Sequence, residues 1–471
     1  MLNLPTSFKE KFEKLLGKDE AAKMFAAINQ NTKKAYRVNP LKAIQQVSYD
    51  QDEAVPDLDN AYYGEVNGQD PEWVSGTVYS QDPAAMFPAK IAKVKPGEKV
   101  LDLCAAPGGK STALGQALKG EGVLVANEIS GTRVKALREN IERWGISNAL
   151  ITNNDSETLA KNFPDFFDKI VVDAPCSGEG MFRKNPDAIN YWSPEYILTC
   201  QSRQKEILQQ AVKMLKPGGK LIYSTCTFSP EEDEEIVAWL VEQEGFKVLP
   251  IPEITSTKIS HGHPEWTNSN LVELKETLRF WPQDNVGEGQ FAAILQKSGE
   301  PAMVNEKKVK KNMKNKKKQH NKLALTVDER KLVGEVLDQF DLPIALKQWS
   351  KQALVRQDHV FIPALTDESK LRGLKIVNNG LELGLLKKKR LEPSHQLAEV
   401  LGQVSQTRVV DLAQREDYLS YLHGETVKVD TNLKGFVLVS YQDLIFSFGK
   451  VTGQKILKNF YPKGLRILKK N

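Results

Sequence analysis

Two cysteines stand where an apolar run of the sequence ends. Cys176 follows the run that closes at Asp173, and Cys226 follows the run 221–225. A buried cysteine usually packs as a small apolar side chain, and this interpretation suits either residue taken alone. Two thiols at the ends of successive strands would instead face one crevice, where a thiolate can act as a nucleophile. The pair, beside a carboxylate, therefore favours chemistry over packing.

A glycine-rich turn links an apolar strand to a helix earlier in the chain. Doubly wound α/β proteins build nucleotide pockets in this way, and glycines let the backbone approach a ligand closely. The spacing is not G-x-G-x-x-G, and the proline removes one N–H group, so a dinucleotide is disfavoured and a smaller adenosyl ligand fits better. The turn consists of Cys104, Ala105, Ala106, Pro107, Gly108, Gly109 and Lys110.

An acidic residue closes the next apolar run. Glu128 follows the run 122–127, about 20 positions beyond the turn, where nucleotide-binding sheets place a ribose-binding carboxylate. The sequence therefore predicts that Glu128 binds a ribose.

Length and composition limit the class of protein. The chain has 471 residues, which is enough for about three domains. No stretch has the length and apolarity of a membrane span, and the first residues lack the layout of a signal peptide. The four cysteines show no C-x-x-C spacing, so we expect free thiols, no metal site and a cytoplasmic protein.

The positive charge of the chain is concentrated in one segment. Residues 307–322 contain nine lysines and no acid, while the net charge of the whole chain is only +5. The rest of the chain is therefore net acidic. Such a block is either a solvated linker or a tether for nucleic acid, and the two interpretations are compatible.

Strands alternate with helices from about residue 99 to about residue 245, which predicts a parallel sheet with helices on both faces. Two further apolar runs, 277–281 and 291–295, are predicted to complete the sheet as a hairpin. The segment 229–232 has the pattern of a capping box with proline at the first helical position, so a helix is predicted to begin at Pro230. The predicted strands are 99–104, 122–127, 148–152, 168–173 and 219–225, and the predicted helices lie near 110–119, 130–144, 156–162 and 194–215.

Both ends of the chain differ in pattern from this middle part. The first 30 residues predict two short amphipathic helices, followed by an extended stretch. The basic residues Lys33, Lys34 and Arg37 are candidates for RNA phosphate contacts or for a solvated turn. The last 50 residues predict a small β-barrel. Its final segment, 458–466, carries aromatics among cations and is either a satisfied surface or a stacking platform for bases.

The motifs around the three cysteines Cys104, Cys176 and Cys226 resemble those of the NOL1/NOP2/sun family of S-adenosylmethionine-dependent RNA cytosine-C5 methyltransferases. The resemblance covers about residues 80–297, and the two ends of the chain resemble the bacterial 16S rRNA branch of that family. It implies a Rossmann-like class I methyltransferase sheet, an N-terminal α/β RNA-binding module, and C-terminal α+β and PUA-like modules. The implied domains are 1–78 (RNA binding), 79–300 (methyltransferase), 301–325 (Lys-rich linker), 326–405 (middle C-terminal domain) and 406–471 (PUA-like).

The resemblance also assigns roles to residues. It implies that the turn Cys104 to Lys110 binds S-adenosylmethionine together with Glu128, Asp155 and Asp173. It makes Cys226 the nucleophile and Cys176 the residue that assists product release. Many relatives carry Asp where this chain has Glu128, which leaves the role intact.

The chemistry of such a reaction explains the residue types. Cytosine C5 is a weak nucleophile, so a thiolate must add to C6 before C5 can take a methyl group. Asp173 is a candidate for a hydrogen bond at N3, and Lys110 for neutralising the developing charge. The target base must be unpaired or flipped out of a helix. The expected partner is RNA, either 16S rRNA or the small ribosomal subunit, bound by a monomer.

Two classes of alternative remain at this level. The enzyme could methylate tRNA or DNA, and a DNA enzyme would use Cys176 as its nucleophile and leave Cys226 unexplained. A ribosome-assembly factor that binds RNA without catalysis is the second alternative. The intact turn and the two cysteines argue against that one.

Overall fold

The computed structural model describes residues 2–45, 47–300 and 323–467 of the chain. Helices and strands are distributed over all three ranges. The strands are β1 (Ala35–Val38), β2 (Ala61–Tyr63), β3 (Val78–Ser80), β4 (Lys99–Asp102), β5 (Val123–Asn127), β6 (Ala149–Thr152), β7 (Phe167–Asp173), β8 (Leu215–Thr225), β9 (Phe246–Val248), β10 (Ser260–His261), β11 (Leu278–Phe280), β12 (Gln290–Lys297), β13 (Leu354–Arg356), β14 (His359–Ile362), β15 (Ile376–Asn379), β16 (Leu381–Lys387), β17 (Arg390–Pro393), β18 (Val409–Asp411), β19 (Val427–Lys428), β20 (Gly435–Tyr441), β21 (Leu444–Val451) and β22 (Ile456–Asn459). The α-helices are α1 (Thr6–Leu16), α2 (Lys18–Ile28), α3 (Pro71–Val74), α4 (Phe87–Ile91), α5 (Gly109–Leu118), α6 (Arg133–Arg143), α7 (Ser156–Asn162), α8 (Pro194–Met214), α9 (Glu234–Glu244), α10 (Val327–Leu337), α11 (Trp349–Gln352), α12 (Glu368–Leu371), α13 (His395–Leu401) and α14 (Arg415–His423).

A ten-stranded sheet forms the centre of the structure. Its order is β10-β11-β12-β8-β7-β4-β5-β6-β15, and β9 pairs with β12. The five strands from β8 to β6 are parallel, and β12 and β11 add to them in antiparallel fashion. The predicted α/β alternation and the terminal hairpin are therefore confirmed. Several boundaries differ by one to four residues, and the largest difference is at β8, which begins at Leu215 rather than at residue 219.

The parallel strands are buried on both faces. In β7, Ile170 and Val172 pack into the core on one side of the sheet and Val171 into the core on the other. Side chains alternate across a strand, and helices cover both faces of a parallel sheet, so apolar residues are needed at every position. This explains why these strands appear in the sequence as continuous apolar runs.

The order of the strands creates a crevice. The chain enters the sheet at β4, moves outward through β5 and β6, and then returns to β7 on the other side of β4. Ligands of open α/β sheets bind at such a reversal, beyond the carboxyl ends of the strands. The glycine-rich turn follows β4 and Asp173 ends β7, so both lie at this crevice.

The N-terminal helices rest on loops that follow strands of the central sheet. Phe8 of α1 lies 5.5 Å from the ring of Phe182 and 5.3 Å from that of Trp192, and Phe12 lies 6.3 Å from Phe228. Both predicted helices and the extended strand that follows them are confirmed. Their apolar faces cover the chain just beyond both Cys176 and Cys226.

The C-terminal half contributes to the central sheet. Strand β15 pairs antiparallel with β6, while β13-β14-β16-β17 form a separate sheet. The tail forms a five-stranded sheet, β18-β20-β21-β22-β19. Tyr461 is buried in the core of the tail and Phe460 packs against the neighbouring core, so the aromatics of segment 458–466 serve packing.

The lysine-rich segment 307–322 lies outside the described residues. None of the helices in the described ranges is both long enough and apolar enough to cross a membrane.

Candidate active site

The glycine-rich turn is held by α6. Gly108 caps α5 with a φ of +119°, a conformation that strains any other residue. The Pro107 carbonyl accepts a hydrogen bond of 2.8 Å from Asn140, and the Ala106 carbonyl one of 2.6 Å from Arg133. The carbonyls of the turn are thus engaged, while the first N–H groups of α5 have no partner within the helix.

The carboxylate predicted to bind ribose ends the neighbouring strand. Glu128 is 3% exposed. Its Oε1 accepts a hydrogen bond of 2.8 Å from the Ser130 amide, and its Oε2 lies 3.4 Å from Arg133. Asn153 donates to the carbonyls of Glu128 and Ile129 at 2.7 and 2.9 Å. Both the side chain and the backbone of Glu128 are therefore fixed at the crevice.

Asp173 is the centre of a polar cluster on the other side of β4. Its Oδ2 accepts 2.8 Å from Lys110 Nζ, and its Oδ1 accepts 2.7 Å from Ser224 and 3.1 Å from Gln290. Burial by itself would lower the pKa of Lys110, but the charges of Asp173, Asp102 and Cys226 outweigh it and raise that pKa. Lys110 is therefore a buried cation directed at the crevice.

The thiols of Cys176 and Cys226 touch. Their sulfur atoms are 3.4 Å apart, and both residues are partly exposed. The hydrogen bond to Cys226 and, after it, burial raise the pKa of Cys176. The two thiols are close enough to share a hydrogen bond, in which either sulfur can donate.

The other two cysteines have inert surroundings. Burial raises the pKa of Cys104, and it raises the pKa of Cys200 to about 11. Cys200 is fully buried in α8 and packs as an apolar side chain.

Comparison with known proteins places this arrangement in a family. The family model described as 16S rRNA methyltransferase RsmB/F matches residues 89–296. Three further models match the N-terminal domain of 16S rRNA methyltransferase RsmF (4–83), the RsmF first C-terminal domain (339–401) and the RsmF PUA domain (409–467). Ribosomal RNA small subunit methyltransferase F of Vibrio parahaemolyticus is 32% identical over 98% of this chain and 97% of its own length. The enzyme of that name from Shewanella loihica is 32% identical over 88% of this chain and 83% of its own.

The chain belongs to the 16S rRNA methyltransferase RsmB/F family. A solved methyltransferase homologue from Pyrococcus horikoshii is similar to it with a TM-score of 0.55 and 28% identity, over 62% of this chain and 95% of that one. The NSun6 structure from the same organism has a TM-score of 0.51 at 20% identity, over 63% and 99% of the two chains, and shows the shared fold. The family and the fold class expected from the sequence are confirmed.

The prediction that Arg37 contacts RNA phosphates or lies in a solvated turn was wrong. Its side chain is only 7% exposed, so it is not available to RNA phosphates. It donates 2.9 Å to the Gly109 carbonyl and 2.6 Å to the Thr112 hydroxyl, and its Nε donates 3.0 Å to Gln81. Arg37 instead holds the first turn of α5 in place through these hydrogen bonds. Lys33 and Lys34 lie at the surface and pair with Glu53 and Glu65.

Asp155 has a structural task at the start of α7. Its Oδ1 accepts 2.7 Å from the Thr158 amide and its Oδ2 accepts 3.0 Å from the Thr158 hydroxyl, an N-cap arrangement. The hydrogen bond from the Thr158 amide is the main cause that holds the pKa of Asp155 below its usual value. Its role toward the cofactor stays a prediction.

The predicted capping box beyond Cys226 was wrong. Helix α9 begins at Glu234, and the residues from Pro230 to Asp233 form a turn. The Ser229 hydroxyl donates to Glu179 and the Glu232 carboxylate accepts from Ser177. The two side chains that would form the cap therefore bind another loop instead.

One residue of the crevice was missed. Ile129, next to Glu128, is 71% exposed, although an isoleucine at the end of an apolar strand is usually buried. The sequence did contain a signal for it, because an isoleucine directly follows the acidic residue at the end of the strand.

Proposed function

We propose that this chain transfers a methyl group from S-adenosylmethionine to C5 of a cytosine in 16S rRNA through a covalent bond between Cys226 and C6. Family membership supports the donor, the reaction and the RNA class. The observation that carries the covalent step is the contact of the Cys176 and Cys226 thiols beside the buried ammonium of Lys110.

The crevice fits the cofactor. The turn Cys104 to Lys110 offers the free N–H groups of a helix start, Glu128 offers a carboxylate for the ribose, and the exposed Ile129 offers an apolar surface for a base. Asp102 Oδ1 is buried below the turn with no hydrogen-bond partner among the described residues, which leaves an acceptor for an ammonium group. In the proposal these residues and Asp173 hold S-adenosylmethionine, and Asp155 borders the site. The cofactor, when bound, supplies an electrophilic methyl group.

Cys226 begins the reaction on the RNA. Its thiolate adds to C6 of an unstacked cytosine, a carbon–sulfur bond forms, and the electron pair of the C5–C6 double bond becomes available at C5 for methylation. Lys110 opposes the charge that develops nearby, and the Asp173 carboxylate accepts a hydrogen bond from N3 when that nitrogen carries a proton. The hydrogen bonds of Asp173 to Lys110, Ser224 and Gln290 keep it in place for this role.

Cys176 acts after methylation. The C5 proton must leave to a base, either Cys176 or a water molecule that it orients. The electron pair of the C5–H bond then restores the C5–C6 double bond while the bond from C6 to Cys226 breaks. The Cys176 sulfur lies 3.4 Å from the Cys226 sulfur, so it is placed beside the carbon–sulfur bond that must break.

The flanking domains hold the RNA in this proposal. A cleft of about 1040 Å³ runs between the N-terminal module and the loops that follow β7 and precede β12, and Lys34, Tyr63, Arg183 and Lys184 line it. We place in it the nucleotides that flank the target, with the C-terminal modules as further contacts. In the proposal the protein acts as a monomer, and an rRNA substrate supports a cytoplasmic location.

The assignment of the two cysteines is tested by substitution. Cys226→Ala should give neither product nor adduct, because the bond-forming atom is gone. Cys176→Ala should still attack and methylate but release slowly, so an enzyme–RNA adduct that survives denaturing electrophoresis should accumulate. Each variant is incubated with S-adenosylmethionine and rRNA, and the slow band is checked for removal by nuclease.

Cys200→Ala serves as the matched control for this pair, since Cys200 is buried in α8. It should give product without a persistent adduct. An adduct that is lost with Cys176→Ala and retained with Cys226→Ala would indicate the arrangement of DNA enzymes and would overturn the assignment.

A further inference from the structure

Two buried carboxylates connect the loops that carry the cysteines. Glu179 belongs to the loop of Cys176, yet it binds the segment after Cys226. Its Oε2 accepts 2.8 Å from the Thr227 hydroxyl and 2.8 Å from the Phe228 amide, and its Oε1 accepts 2.6 Å from the Ser229 hydroxyl. The residue is 1% exposed. The loop of one cysteine thus fixes the backbone next to the other.

The reverse connection is made by Glu232. It follows Cys226 in the chain and binds the residue next to Cys176. Its Oε2 accepts 3.0 Å from the Ser177 amide and 2.8 Å from Gln204, and its Oε1 accepts from the Ser177 hydroxyl. Glu232 is fully buried. Each loop therefore supplies the carboxylate that holds the other loop, and we call Glu179 and Glu232 the carboxylate brace.

Direct contacts between the loops complete the brace. The hydroxyls of Ser177 and Thr227 are 2.7 Å apart, and the Gly180 amide donates 2.9 Å to the Cys226 carbonyl. A Cβ at Gly180 would lie 2.9 Å from the Gly289 carbonyl oxygen and 3.0 Å from the Cys226 carbonyl oxygen, so a larger residue would force the backbone to shift. Several independent contacts therefore fix the position of one thiol relative to the other.

Stability alone does not account for these groups. Burying a carboxylate is costly even when it is hydrogen-bonded, and apolar replacements of similar volume are often neutral or stabilising. Burial raises the pKa of Glu232 to about 7, although the hydrogen bonds from Ser177 and Gln204 oppose the shift. What two fully bonded carboxylates provide instead is a unique geometry for the groups that they bind.

We propose that Glu179 and Glu232 are positioning residues that act on different steps, Glu179 on attack by Cys226 and Glu232 on release assisted by Cys176. The inference rests on the proposed function, because it assigns one carboxylate to each cysteine. Glu179 holds residues 227–229 and so sets the direction of the Cys226 sulfur. Glu232 holds Ser177 and so sets the place of Cys176 relative to the C6–sulfur bond that must break.

The test uses the full-length protein with S-adenosylmethionine and rRNA, and it separates the two steps. Glu179→Gln should lower the single-turnover rate of methyl transfer about tenfold, the effect of losing a hydrogen bond to a charged group, with little adduct. Glu232→Gln should leave that rate within about twofold of the unaltered protein. Its multiple-turnover rate should fall, and adduct should accumulate as in Cys176→Ala.

Smaller changes repeat the test where a glutamine variant does not fold. Thr227→Val removes one donor to Glu179 and should behave as Glu179→Gln does, in weaker form. Ser177→Ala removes one donor to Glu232 and should accumulate adduct. Glu206→Gln is the matched control, because Glu206 is an exposed carboxylate on α8 that lies outside the brace.

Two results would overturn the inference. The first is that every one of these variants slows attack by Cys226 and release of the product by the same factor, whether the change is to glutamine or is Thr227→Val or Ser177→Ala. The carboxylates would then serve the fold only. If Glu232→Gln releases product normally while Cys176→Ala accumulates adduct, Glu232 does not act through Cys176. Failure of the proposed function looks different, since Cys176→Ala itself would then show no adduct while the unaltered protein methylates RNA.

Discussion

Among single residues, Glu128 offers a direct test of cofactor binding. It lies at the carboxyl end of β5 with its backbone fixed by Asn153. A charge-assisted hydrogen bond to a ribose contributes about 1.5 to 3 kcal/mol, so Glu128→Ala should weaken S-adenosylmethionine binding roughly 10- to 150-fold. Titration calorimetry measures the change. Glu157→Ala is the control, because Glu157 is an exposed carboxylate paired with Lys161 on α7; equal affinities for the two variants would exclude the ribose role.

Site residues that directly follow a strand could be located from the sequence. Residues whose partners are distant in the sequence could not. Glu128, Asp173 and Cys176 were found because an apolar run ends just before each, and parallel strands bring their carboxyl ends together. Arg37 gave no such signal. Its partners Gly109 and Thr112 lie more than 70 positions along the chain, and a basic residue near other basic residues predicts a surface.

At the scale of elements, β15 connects the C-terminal half to the edge of the central sheet near Glu128. The strand covers the edge of β6, and Lys375 just before it binds the loop after β6. The Asn153 amide donates 2.9 Å to the Lys375 carbonyl, the Lys375 amide donates 3.0 Å to Asn154 Oδ1, and Lys375 Nζ donates to Asn153 Oδ1. Because Asn153 in turn holds the Glu128 carbonyl, Lys375 supports the Glu128 side of the crevice from the C-terminal half of the chain.

Lys375→Ala should therefore weaken binding of S-adenosylmethionine without changing the fold. The lost hydrogen bond acts through Asn153 and not on the ligand, so we expect about a 3- to 10-fold rise in the dissociation constant, below the effect of a direct contact. Asn153→Ala should also raise the dissociation constant. The double variant should show no further rise, because both substitutions remove the same connection from Lys375 through Asn153 to Glu128. Lys388→Ala, at an exposed turn between β16 and β17, is the control. Additive effects of Lys375→Ala and Asn153→Ala would contradict the link.

Local sequence patterns predicted the positions of strands and helices well. They predicted poorly which distant segments and side chains these contact. Periodicity and apolar runs located β4 to β8 and the helices between them, because burial on both faces imposes those patterns. The pairing of β15 with β6 left no trace, since an edge strand from a distant segment is selected by tertiary contacts. The false capping box near Ser229 has the same cause: the side chains fit a local cap, and buried partners in the loop of Cys176 compete successfully for them.

On the scale of the whole molecule, a buried ionisable cluster joins three parts of the chain. Lys42, from the N-terminal module, donates to the Glu399 carboxylate of α13 at 2.5 Å and to its carbonyl at 3.1 Å. Arg143 of α6 lies over the Trp73 ring at 4.0 Å and also acts electrostatically on Glu399. His395 lies 3.6 Å from Glu399, and burial lowers its pKa to about 3, so it is neutral above that pH.

Glu399 should make the stability of the molecule depend on pH in a distinctive direction. Burial raises its pKa from 4.5 to about 8, against the opposing effects of Lys42 and Arg143. The folded protein therefore keeps this proton in a range where the unfolded chain has lost it. The resulting contribution to the free energy of unfolding is present below about pH 4.5 and is lost as the pH rises to about 8, with a slope of at most about 1.4 kcal/mol per pH unit.

Glu399→Gln should remove that slope, because glutamine does not titrate and can still accept a hydrogen bond from Lys42. Denaturant unfolding at several pH values between those two limits should show a free energy that falls with pH less steeply in the variant than in the unaltered protein. Glu416→Gln, which changes an exposed carboxylate on α14, should leave the slope unchanged. Parallel curves for Glu399→Gln and the unaltered protein would show that Glu399 is already ionised in the folded state, with its charge balanced by Lys42 and Arg143.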